Sequence, residues 1–153
     1  MKKFLLFILT VILTSGISFA QLPSGSIAPD FTITDIDGND HNLYEILDQG
    51  KPVLLSLFAS WCGPCYELYE SGVFDEFDQI YGPEGNNSVF TLAIEVDPTT
   101  PANSLTGEGN SIGDYTNIIN YPLANDDYIS ESYAVTYYTT IYIICPDRTC
   151  LLY

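Results

Sequence analysis

Four Lys and Arg stand against twenty Asp and Glu in this sequence of 153 residues, giving a net charge of −16 with one histidine. Two of those cations, Lys2 and Lys3, precede a short apolar run from Phe4 to Leu13. That run is too short for a bilayer core, and no cysteine follows it to take a lipid. Ser18-Phe19-Ala20 offers small residues where a signal peptidase reads, so residues 1–20 read as a signal peptide and 21–153 as one exported domain without a membrane span. Losing Lys2 and Lys3 takes the net charge from −16 to −18 and leaves Lys51 and Arg148 as the only Lys and Arg. Such a surface repels nucleic acid and anionic membrane. The acidity reads as solubility outside the cell or adaptation to salt, in preference to a specific basic partner. Disorder is excluded by a composition that is 46% hydrophobic. With one histidine and no second cysteine pair at zinc spacing, a structural zinc site lacks ligands. No internal repeat is present, and no metal or organic cofactor is implied.

The sequence is organised around Trp61-Cys62-Gly63-Pro64-Cys65. Two cysteines separated by two residues can close a small disulfide or open to a dithiol. Upstream, Pro52 to Ser60 is a nearly continuous apolar run, the pattern of a buried parallel strand. Downstream, the pattern predicts one helix over Tyr66 to Tyr81, with Leu68, Val73, Phe74, Phe77 and Ile80 as its apolar residues. A helix N-terminus favours a thiolate at the first cysteine. Gly63 permits a tight turn, and Pro64 fits an early helical position where its missing N–H costs nothing.

This strand–turn–helix pattern resembles the thioredoxin superfamily. Ile27-Ala-Pro-Asp-Phe-Thr-Ile-Thr-Asp-Ile-Asp-Gly38 is similar to the opening of its exported TlpA-like and AhpC/TSA-type (redoxin) members. The resemblance covers Ser26 to the C-terminus. It implies a thioredoxin-like α/β fold, a central mixed sheet flanked by helices, with an N-terminal extension forming an added hairpin at the sheet edge. It also implies thiol–disulfide exchange with Cys62 as nucleophile and Cys65 as resolving thiol, supported by Trp61, Gly63 and Pro64. Gly63-Pro64 matches the dipeptide of reducing thioredoxins, whose potentials lie near about −270 mV.

Three departures from the family stand out. Cytoplasmic thioredoxins carry a buried aspartate six residues before the first cysteine; here that position is Ser56. Relatives also carry a proline five residues after the second cysteine. This chain has Glu70 there, so the helix is expected to run straighter. Finally, a cis-proline that faces the disulfide is replaced by Thr139, with Thr140 matching the family's threonine. A cis bond before a non-proline residue costs about 2.5–4 kcal/mol, so a trans bond and a reshaped loop are expected.

Along the rest of the chain, Ser26 to Gly38 reads as an extended segment burying Ile27, Phe31, Ile33 and Ile36, with a turn at Asp37-Gly38. His41 to Gln49 reads as a short helix, and His41 as a solvated loop histidine rather than a base. Val89 to Val96 reads as a strand after the Gly82–Ser88 loop. Glu95 and Asp97 lie at its carboxyl end, where chemistry gathers in parallel sheets. They are the candidates for a substitute proton relay to Cys65, against the simpler reading of solvated carboxylates. Thr99 to Gly113 has no apolar period and reads as an insertion or a mobile rim. A short helix (Asp114–Asn120), a short strand (Tyr121–Leu123), a helix (Asn125–Tyr133) and an apolar strand ending at Ile144 follow. Cys145 and Cys150 flank a four-residue turn, after which Leu151 to Tyr153 continues the hairpin. They read either as a second disulfide or as two free buried thiols, with strand register deciding. A thioredoxin fold would then add a C-terminal helix, so the sequence reads as truncated.

The resulting expectation is an exported thiol–disulfide oxidoreductase, in the periplasm, at the cell surface or outside the cell. It would exchange disulfides with protein dithiols and disulfides and with an unidentified electron donor or acceptor. Two alternatives stand beside it. A redoxin-type thiol peroxidase shares the Ala-Pro-Asp-Phe opening, but Phe58-Ala-Ser-Trp61 replaces its peroxidase pocket. A non-catalytic binding domain would hold Cys62–Cys65 as a fixed disulfide.

Overall fold

A computed structural model describes residues 21–152; the signal peptide read at 1–20 and the last residue of the hairpin, Tyr153, lie outside the described residues. Among the described residues no helix is long and apolar enough to cross a membrane. In the described residues seven strands run β1 (Thr32–Thr34), β2 (Asp40–Asn42), β3 (Val53–Phe58), β4 (Phe90–Glu95), β5 (Leu123–Asn125), β6 (Thr140–Ile144) and β7 (Cys150–Leu152). Between them lie helices α1 (Leu43–Asp48), α2 (Gly63–Glu70), α3 (Val73–Tyr81) and α4 (Tyr128–Ser132).

The main sheet has the order β5-β4-β3-β6-β7. Strands β3, β4 and β5 are parallel, while β6 pairs antiparallel with β3 and β7 antiparallel with β6. Every residue of β3 is buried, which is why its sequence shows an apolar run instead of alternation. One face of the sheet packs Leu55, Leu57, Leu92 and Ile94 against Leu43 and Leu47 of α1 and Ile129 of α4. The other packs Phe58 and Ala93 against Cys65 and Tyr69 of α2, with Leu105 and Tyr115. This is the thioredoxin-like α/β layout that the motifs imply.

Several local expectations need correction. The single helix over Tyr66 to Tyr81 is two helices, because Gly72 takes a left-handed conformation (φ 76°) that an L-residue resists. The chain therefore breaks where a straighter helix was expected. Val73 and Ile80 are consequently exposed, and α2 buries Tyr69 together with Cys65. The N-terminal segment forms its own two-stranded sheet, β1–β2, tied to the main sheet by Ile36 N–H donating to Leu123 O at 2.8 Å. Ile33 is buried as expected, but Ile27 and Ile36 are exposed.

His41 belongs to β2, not to a helix or a solvated loop. Its Nε2 lies 2.7 Å from Asp35 Oδ2, and its ring packs on Phe90 with centroids 5.2 Å apart. Burial alone would raise the pKa of Asp35, but the bonds from His41 and Asn39 outweigh it and hold the carboxyl below its ordinary value.

The Cys145–Cys150 disulfide is not formed; both thiols are free. Register decides it: Cys150 pairs with Ile144, and Cys145 N–H donates to Thr149 O. Alternation then sends the two side chains to opposite faces. Cys150 is buried, and desolvation with the neighbouring Cys145 raises its pKa to about 11.

Candidate redox site

Strand β3 delivers the chain to the carboxyl end of the sheet, where Ala59 to Trp61 turn it into α2. Cys62 N–H closes that turn on Ala59 O at 3.0 Å, and Tyr66 N–H makes the first helical bond to Cys62 O at 3.1 Å. Cys62 is the N-cap residue: its backbone is extended, and its Sγ accepts from Cys65 N–H at 3.3 Å. Pro64 sits in the first turn, where it removes no helical bond. Cys62 and Cys65 are joined as a disulfide with Cα atoms 5.2 Å apart. The two sulfurs differ in access, since Cys62 keeps 7% of its surface exposed and Cys65 none.

Around Cys65 lies an aromatic wall. Phe58 packs on Tyr69 and Tyr115 with centroids 4.9 and 4.7 Å apart, and Tyr66 meets Tyr115 edge-on at 5.2 Å. Ser56, where an acid stood in the resemblance, is buried, and its Oγ accepts from Tyr69 Oη at 3.0 Å. Tyr69 lies one turn beyond Cys65 on the same helix face, a spacing visible in the sequence.

Glu95 and Asp97 are not solvated. Glu95 is fully buried: Oε1 accepts from Ser60 N–H (3.1 Å) and Thr100 Oγ1 (2.6 Å), while Oε2 accepts from Asn125 Nδ2 (2.7 Å). Burial raises its pKa despite those bonds, and the charge of Asp97 adds to the rise. Asp97 accepts from Trp61 Nε1 at 2.6 Å and from Thr99 N–H and Oγ1. Burial would raise its pKa too, but these donors outweigh that and hold it below the ordinary value. The two carboxylates thus take opposite directions at one strand end.

The Thr99–Gly113 segment, with Tyr115 just after it, contacts the redox turn. Ile112 N–H and Tyr115 Oη both donate to Ser60 O, at 3.0 and 3.2 Å. Ser60 is therefore held at its N–H by Glu95 and at its carbonyl by this segment, two residues ahead of Cys62. Leu105 is buried in the same cluster. Composition hid this role because one gripping group is a backbone N–H and another is a tyrosine hydroxyl just beyond the segment.

The Tyr138–Thr139 peptide is cis, correcting the trans bond expected from sequence. Contacts on both sides of the peptide hold the loop: Tyr138 packs edge-on against Trp61 at 5.7 Å, and within the loop Thr140 Oγ1 donates to Tyr137 O at 2.8 Å. Gln21 Nε2 also donates to Thr140 Oγ1. Local preference alone gave the wrong isomer because it omits these contacts. Thr139 stays half-buried and Thr140 buried, and Tyr138 joins Trp61 at the site. Among the described residues no three His, Cys, Asp or Glu side chains converge as a metal site.

Residues 24–150 match the family model of the AhpC/TSA family. The chain is 39% identical over 72 residues to thiol-disulfide oxidoreductase ResA of Geobacillus kaustophilus, covering 47% of this chain and 37% of that protein. It is 27% identical over 124 residues to thioredoxin-like protein YneN of Bacillus subtilis, covering 80% of this chain and 66% of that protein. The aligned stretch thus spans little more than a third of the ResA relative. Among solved structures, a thiol-disulfide oxidoreductase from Bacteroides fragilis superposes with a TM-score of 0.63 at 18% identity, over 82% of this chain and 88% of that one.

Proposed function

Because the chain belongs to the AhpC/TSA family, we propose that it is an exported thiol–disulfide oxidoreductase working as a reductase on protein disulfides. The observation that carries this reading is the Cys62–Cys65 bridge at the start of α2, with Cys62 as the accessible sulfur. In the dithiol form, the helix N-terminus stabilises a Cys62 thiolate. That thiolate attacks one sulfur of the substrate disulfide, whose S–S bond breaks and whose other sulfur leaves as a thiolate and takes a proton. Cys65 then loses its proton and attacks Cys62 Sγ, expelling the second substrate thiolate. The substrate gains two electrons and two protons, and the protein ends in its disulfide form. A dithiol reductant outside the cell restores it. No metal or organic cofactor enters this cycle.

The proton from Cys65 goes to the strand-end pair. Glu95, whose neutral form is favoured by burial, is the member suited to hold it; Asp97 stays ionised and fixes Trp61. Thr139 and Thr140 present the loop backbone to the substrate chain beside Trp61, and Gly63 and Pro64 shape the turn. Gly63-Pro64 supports the reducing direction.

The test is titration of the disulfide against glutathione or dithiothreitol, with Cys62→Ser and Cys65→Ser variants. A measurable couple is expected, with Cys65→Ser trapping a mixed disulfide through Cys62. A bridge that resists reduction until the protein unfolds would end the catalytic reading.

A further inference from the structure

Composition alone does not say where the rare cations stand. Lys51 lies two residues before β3, and Arg148 lies in the turn joining β6 to β7, beside the Val53–Ile144 pair at that same end. His41 packs on Phe90, the first residue of β4. All three basic side chains of the described residues therefore sit at the amino end of the parallel strands. Cys62 sits at the other, beyond the six residues of β3, roughly 20 Å away. That is more than twice the screening length of about 8 Å at physiological salt.

Among the described residues, the charged side chains of the redox end are all carboxylates. Asp97 lies against Trp61, Glu67 projects from α2, Glu108 from the segment that grips Ser60, and Asp126 and Asp127 follow β5. Among them stand exposed rings. Trp61 is 44% exposed, Tyr137 55% and Tyr128 75%. Strand order places them in one row along that edge: Tyr128 after β5, Asp97 after β4, Trp61 after β3 and Tyr137 before β6. Exposed rings interleaved with carboxylates hold cations twice over, through Coulomb attraction and through the ring faces.

We propose that this edge docks cationic polypeptide, so that the preferred substrates carry lysine or arginine flanking the disulfide. The inference rests on the thiol–disulfide reading for its meaning, but it predicts binding independent of turnover. An anionic substrate would meet like charge with no cation nearby to relieve it. A cationic one would be steered to Cys62 with a gain that salt removes.

The experiment uses the oxidised wild-type protein and short cysteine-free peptides of matched sequence, lysine- and arginine-rich, neutral, or acidic. Binding is followed by the fluorescence of Trp61, the single tryptophan. The cationic peptide should bind about tenfold or more tighter than the neutral one at low salt, and this preference should vanish in 1 M NaCl, where screening acts over about 3 Å. Replacing exposed acids of the redox end (Glu67→Gln, Glu108→Gln, Asp127→Asn) should weaken binding. Replacing acids of the far end (Glu45→Gln, Glu84→Gln) should leave it unchanged. Equal binding of cationic and neutral peptides, or equal losses from the two acid sets, would overturn the proposal. Reduction of neutral 2-hydroxyethyl disulfide by the dithiol form is measured in parallel, so that failure of the redox reading shows there and failure of the docking proposal shows in the peptide titration.

Discussion

Replacing Glu95 separates its two roles, as a tether of the redox turn and as a holder of protons. Glu95→Ala orphans Ser60 N–H, a buried backbone donor, while the Thr100 hydroxyl can turn to Asp97 O, 2.8 Å away, and Asn125 retains partial access to water. One orphaned buried donor costs about 1–3 kcal/mol. The space left by the side chain adds about 1–2 kcal/mol, so a loss of roughly 2–5 kcal/mol is expected. Glu95→Gln keeps an oxygen for Ser60 N–H and turns its amide N–H₂ toward Asn125, which can rotate its own amide to accept. Its cost should stay near about 1 kcal/mol.

The pH dependence has a fixed sign. Burial raises the folded-state pKa of Glu95 above its ordinary value of 4.5, so above that value the folded state holds more protons than the unfolded one. Wild-type stability then falls as pH rises from the ordinary carboxylate range through the raised pKa. A glutamine carries no such penalty, so the cost of Glu95→Gln should be largest near pH 4–5 and shrink toward pH 8. Urea unfolding at several pH values reads this directly. In the dithiol form, the same variant should lengthen the life of the mixed disulfide and flatten its pH profile, read by rapid acid quench and mass spectrometry. A glutamine variant as unstable as the alanine one, or one whose cost grows with pH, would refute the assignment. So would an unchanged pH profile of the resolving step.

Gly72→Ala places a side chain at φ 76° with nothing within 4 Å of the new Cβ, so the cost is backbone only, about 1 kcal/mol; a lower Tm with unchanged helical circular dichroism checks it. In the native oxidised protein, iodoacetamide should label Cys145 and spare Cys150, whose thiol is buried with a pKa raised to about 11; labelling of both requires unfolding. Asp35 is held below its ordinary pKa, so its stabilising effect is present above the ordinary aspartate range and lost as pH falls through the lowered value. Asp35→Asn should therefore lower Tm at pH 7 and flatten its acid limb, as calorimetry would show.

How much of this was legible in the sequence depends on the range of the cause. The redox turn was readable because everything that makes it is local: a run of apolar β3 residues, two cysteines, a glycine and a proline within about a dozen positions. The break at Gly72 was also local, and the Ser71-Gly72 pair signalled it. The apolar residues on either side masked it by continuing a helical pattern. Other features were set by strand pairing and packing contacts that no local pattern records. Asp35 decides the environment of His41, Trp61 and Gln21 hold the loop at Thr139, and a one-residue register separates Cys145 from Cys150. None of these is a propensity.

The clearest case is the acid that Ser56 lacks. Ser56 and Glu95 lie on one face of the sheet, since Ser56 pairs with Ala93 and Phe58 with Glu95. At Ser56 the structure substitutes hydroxyls: Tyr69 donates to Ser56 Oγ, and burial pushes that phenol well above the ordinary tyrosine range. Two hydroxyls that remain neutral at physiological pH satisfy each other and fill the space, but they are poor sinks for a proton from Cys65. The carboxylate on that face stands instead at the end of the neighbouring strand, bonded to the backbone of the turn that carries the cysteines. A sequence comparison made position by position finds the acid missing, whereas the pleat of two adjacent strands puts a carboxylate on the same face, one strand over and two residues on.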